Sequence, residues 1–441
     1  MDSTLAVAVP KPKLATPAFL SVVFAALAYF FAVGVLVPAV PRYVAGPLGA
    51  GDASVGIVVG AFSVSALLLR PWAGRLADRR GRALLMISGA GIVAVSVAGY
   101  ALVASVPTLL VLRLVTGVGE ALFWVGAVSA VGDLAPPQRR GEAMSWASLS
   151  LYVGLALGPP VGEYVVDQFG YVTAWLVSSA AAAVALAIAL RVGETRPEAE
   201  TLTPEVAPET RTPEVGPEAR VTAGAGSGAD RGRRARLRLV HPDALLPAAM
   251  LLTVIWGMAG LLTFVPLYAR DLGLSSSGPV LFGFAGMVVV IRSFGARLPD
   301  RLGTARATVA ALAGVTLGLT VIGLWRTPAG LIVGALALAV GVALATPSIM
   351  ALAWEAAPAA ERGAATSTVA MAVDVGLGFG PAALGLVAAQ TGRPGAYLAA
   401  AVVAALGLAL ALWSARSRRA ASIAARTFPG PSSPEGATVR N

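Results

Sequence analysis

Gly74-Arg75-Leu76-Ala77-Asp78-Arg79-Arg80-Gly81-Arg82 lies between two apolar runs, Ala53 to Trp72 and Ala83 to Val103. Counting Arg70, five arginines crowd this stretch. A basic turn this short predicts two neighbouring antiparallel helices. Its arginines place it on the cytoplasmic side of a membrane, where loops collect Lys and Arg. Gly74 and Gly81 permit a tight reversal, and Asp78 is suited to accept from backbone N–H groups at a helix start.

Composition supports a membrane setting. Of 441 residues, 57% are hydrophobic and 13% charged, against about 25% charged in a soluble domain. The chain therefore reads as an all-α polytopic membrane protein. The net charge of +10 follows from the cytoplasmic bias of arginine and calls for no nucleic-acid partner. Cysteine is absent and His241 is the one histidine, so neither a thiolate or histidine metal centre nor a thiol nucleophile is expected. No nucleophile–base pair or phosphate loop is legible, so an enzyme is not expected, nor any cofactor.

Apolar runs of about 20 residues give twelve spans. They fall near 16–41, 53–72, 83–104, 107–132, 143–166 and 171–191, then near 244–268, 277–296, 305–325, 328–353, 364–389 and 395–414. The first is too long for a signal peptide and is read as retained. Alternate loops hold nearly all the base, and the opposite loops hold only Arg42, Arg270, Arg326 and Arg393. An even number of spans with both termini cytoplasmic explains that alternation. The expected organisation is a tail over 1–15, a bundle over 16–192, a linker over 193–243, a second bundle over 244–414 and a tail over 415–441. The linker repeats a Thr-Pro-Glu-Val nonapeptide at 203–211 and 212–220 and ends in the basic cluster Arg231 to Arg238. That composition cannot bury a core and predicts disorder. The basic cluster suits anionic headgroups, or a regulatory partner.

The chain also repeats itself. Arg70, Arg75, Leu76, Asp78, Arg79, Gly81 and Ala83 recur 222 residues later as Arg292, Arg297, Leu298, Asp300, Arg301, Gly303 and Ala305. The same shift carries Gly154, Gly158 and Pro159 to Gly376, Gly380 and Pro381. Six spans per repeat give both halves one orientation, related by an axis along the membrane normal.

The basic turn resembles the loop between helices 2 and 3 of the major facilitator superfamily, and the duplication matches that family's paired six-helix bundles. The resemblance covers about residues 16 to 414 without the linker. It implies alternating access to a central site. Gly154-x-x-x-Gly158-Pro159-x-x-Gly162 is similar to the signature of the family's proton-coupled exporters, although Glu163 stands where a glycine usually closes it. Pro159 would kink this helix, and the glycines allow close helix approach. With its repeat at Gly376, Gly380 and Pro381 in the eleventh span, a bendable helix is expected at the interface in both halves, a seam able to seal one side, or else plain small-residue packing. Pro38-Ala39-Val40-Pro41 looks like the ending of the first span in drug exporters.

Arg113 and Glu120 lie two helical turns apart on one face of span 4, with Trp124 four residues further on. A charge at mid-span costs about 2.5–3.5 kcal/mol, so Glu120 is a candidate for proton coupling, or else a polar contact between helices. Asp374 in span 11 is the other deep acid, as a proton or cationic-substrate site or as interface glue. Glu163 is expected nearer the headgroups. The resemblance places Trp124, Trp256 and Tyr29 on cavity-lining spans. It also implies that Asp78 meets the start of span 11 near Gly363, and Asp300 the start of span 5 near Gly141, with Gly74, Arg79, Gly81, Arg82, Arg301 and Gly303 shaping these gating loops.

The leading expectation is a monomeric, proton-coupled antiporter of the drug or metabolite efflux branch. It would export a small molecule across the bacterial cytoplasmic membrane. An uptake symporter of the same fold is the first alternative. A lipid flippase or a non-transporting sensor is the second.

Overall fold

The computed structural model describes residues 14–136, 139–195, 241–294, 302–358 and 361–427. Asp300, Arg301 and most of the expected linker lie outside these residues. The first half contains α1 (Pro17–Ala45), α2 (Asp52–Arg80), α3 (Arg82–Gly99) and α4 (Val106–Leu134). Next comes one continuous stretch, Arg140–Val192. A straight helix of its 53 residues would reach about 80 Å, more than twice the hydrocarbon thickness. Instead it folds back at Gly170, where φ is 81°. Gly158 packs on Gly34 while Ser178, beyond the reversal, donates to the carbonyl of Ala32 at 2.8 Å. The stretch is therefore an antiparallel pair, α5 (140–169) and α6 (171–192).

The second half repeats the plan with α7 (Leu245–Asp271), α8 (Gly278–Phe294), α9 (Thr304–Leu324) and α10 (Pro328–Ala356). Its last stretch, Arg362–Thr427, reverses at Gly392 with φ 75°, giving α11 (362–391) and α12 (393–427). Gly376 and Gly407, on either side of that bend, both meet α7, at Ile255 and Thr253. Nine segments of the described residues are long and apolar enough to cross a bilayer. Two of them are these hairpins, and the shorter apolar helix Gly278–Ser293 completes twelve crossings.

The 222-residue register holds in three dimensions. α4 and α10 begin and end at equivalent residues, and their caps are equivalent too. Ser105 accepts from the N–H of Thr108, and Thr327 from that of Gly330. Arg82 Nε donates to Asp133 at 2.8 Å, and Thr304 Oγ1 donates to Glu355 at 2.7 Å, in matching positions. Gly81 and Gly303 turn the chain with φ of 102° and 81°. Side chains such as Leu68, Leu176, Leu190, Val402, Leu406 and Trp413 are exposed on the flanks, an apolar surface suited to lipid rather than water.

Two local expectations are corrected. The Arg70 to Arg82 stretch is not a loop, because α2 stays helical to Arg80 and Gly81 alone makes the turn. Nothing before Gly81 breaks the helix, and Arg79 and Arg80 are favourable near its negative C-terminal end. Gly74 is therefore helical. Likewise α1 continues past Pro38 and Pro41 to Ala45. Proline is tolerated in a membrane helix where neighbouring groups satisfy the freed carbonyls.

Candidate functional site

Three charged side chains meet between the halves. Arg70, on α2, sends one terminal nitrogen to Glu120 Oε1 on α4 at 3.2 Å and to Asp374 Oδ1 on α11 at 3.0 Å. Asp374 is 3% exposed and Glu120 8%, and Glu120 Oε2 is buried with no hydrogen-bond partner among the described residues. Two carboxylates share one guanidinium, so with both ionised the cluster carries one surplus negative charge. In a medium of low dielectric that surplus is costly until a proton or another positive group offsets it.

Arg70, expected in a basic loop, lies ten residues inside the end of α2; its place within the apolar run that ends at Trp72 was the available signal. Arg113, on the same face of α4 as Glu120, turns to α2 instead. Arg113 donates to the backbone carbonyls of Val58 and Val59 at 3.2 and 3.1 Å, and its guanidinium lies 5.0 Å from the ring centre of Phe62. Seven residues of helix rise about 10.5 Å, so the nearer carbonyls of α2 capture it.

Aromatic rings back this cluster. Tyr29 is fully buried and stacks on Phe123 at 4.0 Å, while Trp124 meets Phe30 edge-on at 5.4 Å. The Tyr29 hydroxyl and the Trp256 indole N–H are buried with no hydrogen-bond partner among the described residues.

At the end of the molecule remote from Arg75 to Arg82, the halves are tied closely. Gly56 of α2 lies so near α11 that a Cβ there would sit 2.1 Å from the Pro381 carbonyl oxygen, and Gly60 meets Gly378 equally closely. The equivalent seam joins α5 to α8, where Ser277 donates to Glu163 at 2.8 Å. Glu163, expected near headgroups, is 1% exposed and also pairs with Arg42. Asp167 is shared by Arg42 of its own half and Arg270 of the other. Arg393 bridges Asp52 of the first half and Asp271 of the second. Sequence reasoning missed this network, although its members were the few charges in otherwise uncharged loops.

The glycine–proline motif is placed differently from expectation. Gly154, Gly158 and Gly162 pack on Phe30, Phe31, Gly34 and Val35 of α1, within one half. Gly376 and Gly380 face Ile255 and Trp256 of α7 in the same way. Of this set, Pro381 reaches the opposite half. Glycines at i and i+4 form a single stripe, and here that stripe is taken by the nearest helix of the same bundle.

At the basic end Asp78 is 76% exposed and lies 3.4 Å from Arg82. Gly363 has open space where a Cβ would point. Gly303 begins α9; Asp300 and Arg301 fall outside the described residues. His241 binds Glu361 at 2.8 Å within the second half. No group of metal-binding side chains occurs among the described residues.

The Major Facilitator Superfamily model matches residues 22–329 and 293–437. An uncharacterized MFS-type transporter, YhhS of Escherichia coli O157:H7, is 26% identical, with 90% of this chain and 92% of that one covered. Another from Burkholderia mallei strain SAVP1, BMASAVP1_A0869, is 27% identical over 96% of this chain and 100% of that one. Among solved structures, an inward-facing, unoccupied bacterial homolog of the human lysosomal transporter Spinster aligns with a TM-score of 0.71 at 15% identity, covering 92% and 98% of the two chains. The human organic anion transporter MFSD10 aligns with a TM-score of 0.63 at 20% identity, covering 90% and 100%. Two repeated six-helix bundles closed at one end, matched over nearly their whole length by this family's model, have one reading: the chain is a membrane transporter belonging to the major facilitator superfamily.

Proposed function

We propose that this transporter is a proton-coupled antiporter that exports a small molecule, a drug or metabolite, across the cytoplasmic membrane. The observation that carries the reading is the Arg70 bridge between Glu120 and Asp374, which spans the two halves. The positive-inside rule puts the basic end, with both termini, in the cytoplasm. The arrangement described is then closed outward, the state in which the proton leaves Asp374 or Glu120 inward and substrate enters from the cytoplasm. After reorientation a proton from outside neutralises Asp374 or Glu120, weakens the grip of Arg70 and favours substrate release. Each charge moved with the field gains about 2.3 kcal/mol per 100 mV. One chain, working as a monomer, carries the whole pathway between its own halves. Asp78 and Asp300 would meet the starts of α11 and α5 when the cytoplasmic end closes.

The test is a proteoliposome assay with an imposed pH gradient and a panel of candidate compounds. Substrate addition should drive proton movement in the opposite direction in wild type, and not in Glu120→Gln or Asp374→Asn. Wild-type coupling in both variants defeats the assignment. Substrate and protons moving together would replace export by uptake symport.

A further inference from the structure

The duplication makes an internal comparison possible at the site itself. Under the 222-residue shift Arg70 corresponds to Arg292, and Asp374 to Tyr152. Arg70 of α2 crosses to α11 and finds a carboxylate. Arg292 of α8 crosses to α5 and finds a ring, its guanidinium carbon 4.4 Å from the centre of Tyr152. Its Nε and NH2 nitrogens are buried and meet no acceptor among the described residues.

A ring face attracts a guanidinium but leaves its N–H edges unmet. Buried donors without acceptors are uncommon and costly, and those of a cation more so. The open edge of a planar guanidinium fits the two oxygens of a carboxylate, and it does so bidentately. Arg292 and Tyr152 belong to opposite halves, so a ligand held there lies between the bundles.

We propose that Arg292, with Tyr152 stacked beneath it, anchors a carboxylate group of the transported molecule. This rests on the transport reading above and adds its substrate class, an organic acid. The two repeats then divide the work. Arg70, with its two acids, handles the proton, while Arg292 holds the opposite charge of the cargo.

The probes are 1-naphthoate, 1-naphthamide and 1-naphthylmethylamine, with the full chain in neutral phosphatidylcholine vesicles that offer no anionic lipid, and in detergent for thermal shifts. Naphthoate alone should raise the melting temperature of wild type and move against a proton gradient. Arg292→Gln should weaken naphthoate binding about ten- to a hundredfold, the size of a charged hydrogen-bonding loss, and Arg292→Lys less. Tyr152→Asp supplies the carboxylate that the other repeat carries. It should keep or raise the ligand-free melting temperature while abolishing naphthoate binding. Preference for the amine, naphthoate binding unchanged in Arg292→Gln or Tyr152→Asp, or no naphthoate binding by wild type overturns the proposal. Naphthoate binding that depends on Arg292 but drives no proton movement keeps the anchor and rejects antiport.

Discussion

Arg270 donates to Asp167 at 3.0 Å across the seam between the halves, in a region of the sequence nearly empty of other charge. Both side chains are partly exposed, so the pair adds well under about 1 kcal/mol to stability. Its effect falls on the balance between open and closed forms. Asp167→Asn should open the far end more often, at some cost in melting temperature because buried Arg42 also loses a partner. The chain has no cysteine, so Ser277→Cys gives a single label site, which is fully buried here. Its labelling by an impermeant maleimide should rise several-fold in the Asp167→Asn background; equal labelling would remove Asp167 from the seal.

Gly56→Ala should prevent the same closure by a different route. The added methyl would meet the Pro381 carbonyl oxygen at 2.1 Å, and neither backbone can yield without parting the halves. Transport should fall at least about tenfold, the equivalent of about 1.4 kcal/mol. Gly74→Ala is the contrast, since its Cβ would meet open space and alanine is the better helix former by about 1 kcal/mol. Thermal unfolding should show it as stable as wild type or more so.

Arg113→Lys should destabilise by about 1–3 kcal/mol. The guanidinium reaches two consecutive carbonyls, Val58 and Val59, and an ammonium point charge cannot span both while lying over Phe62. A melting temperature within error of wild type would show that this fastening of α4 to α2 is dispensable.

Asp78→Asn should express and fold normally, since Asp78 is 76% exposed, and should slow transport by weakening closure of the basic end. Unchanged transport refutes the gating role.

The twelve crossings were legible because each half spells the same pattern at one offset, and because loops alternate between basic and uncharged. The site was legible in part. Glu120 and Asp374 announce themselves as acids deep in apolar helices, yet their shared partner was hidden. Arg70 sits among loop-like arginines, and only the helical persistence of 71–80 carries it inward to meet them. That Arg113 fastens to α2 was not legible, because helical spacing says which residues share a face and not which neighbouring helix stands closer. The far-end network joins residues more than a hundred positions apart, such as Arg42 with Glu163 and Asp52 with Arg393. No local pattern encodes those pairings; the packing of the bundles creates them.

Gly170 and Gly392 reverse the chain in a single residue each, so α5 is joined to α6, and α11 to α12, with no slack. Each pair must therefore swing as one stiff lever. When α11 parts from α2 and α5 from α8 at the far end, α6 and α12 are dragged through the surrounding lipid with them. Turnover should accordingly depend on bilayer thickness and viscosity, and acyl-chain length becomes a physical control on the transporter.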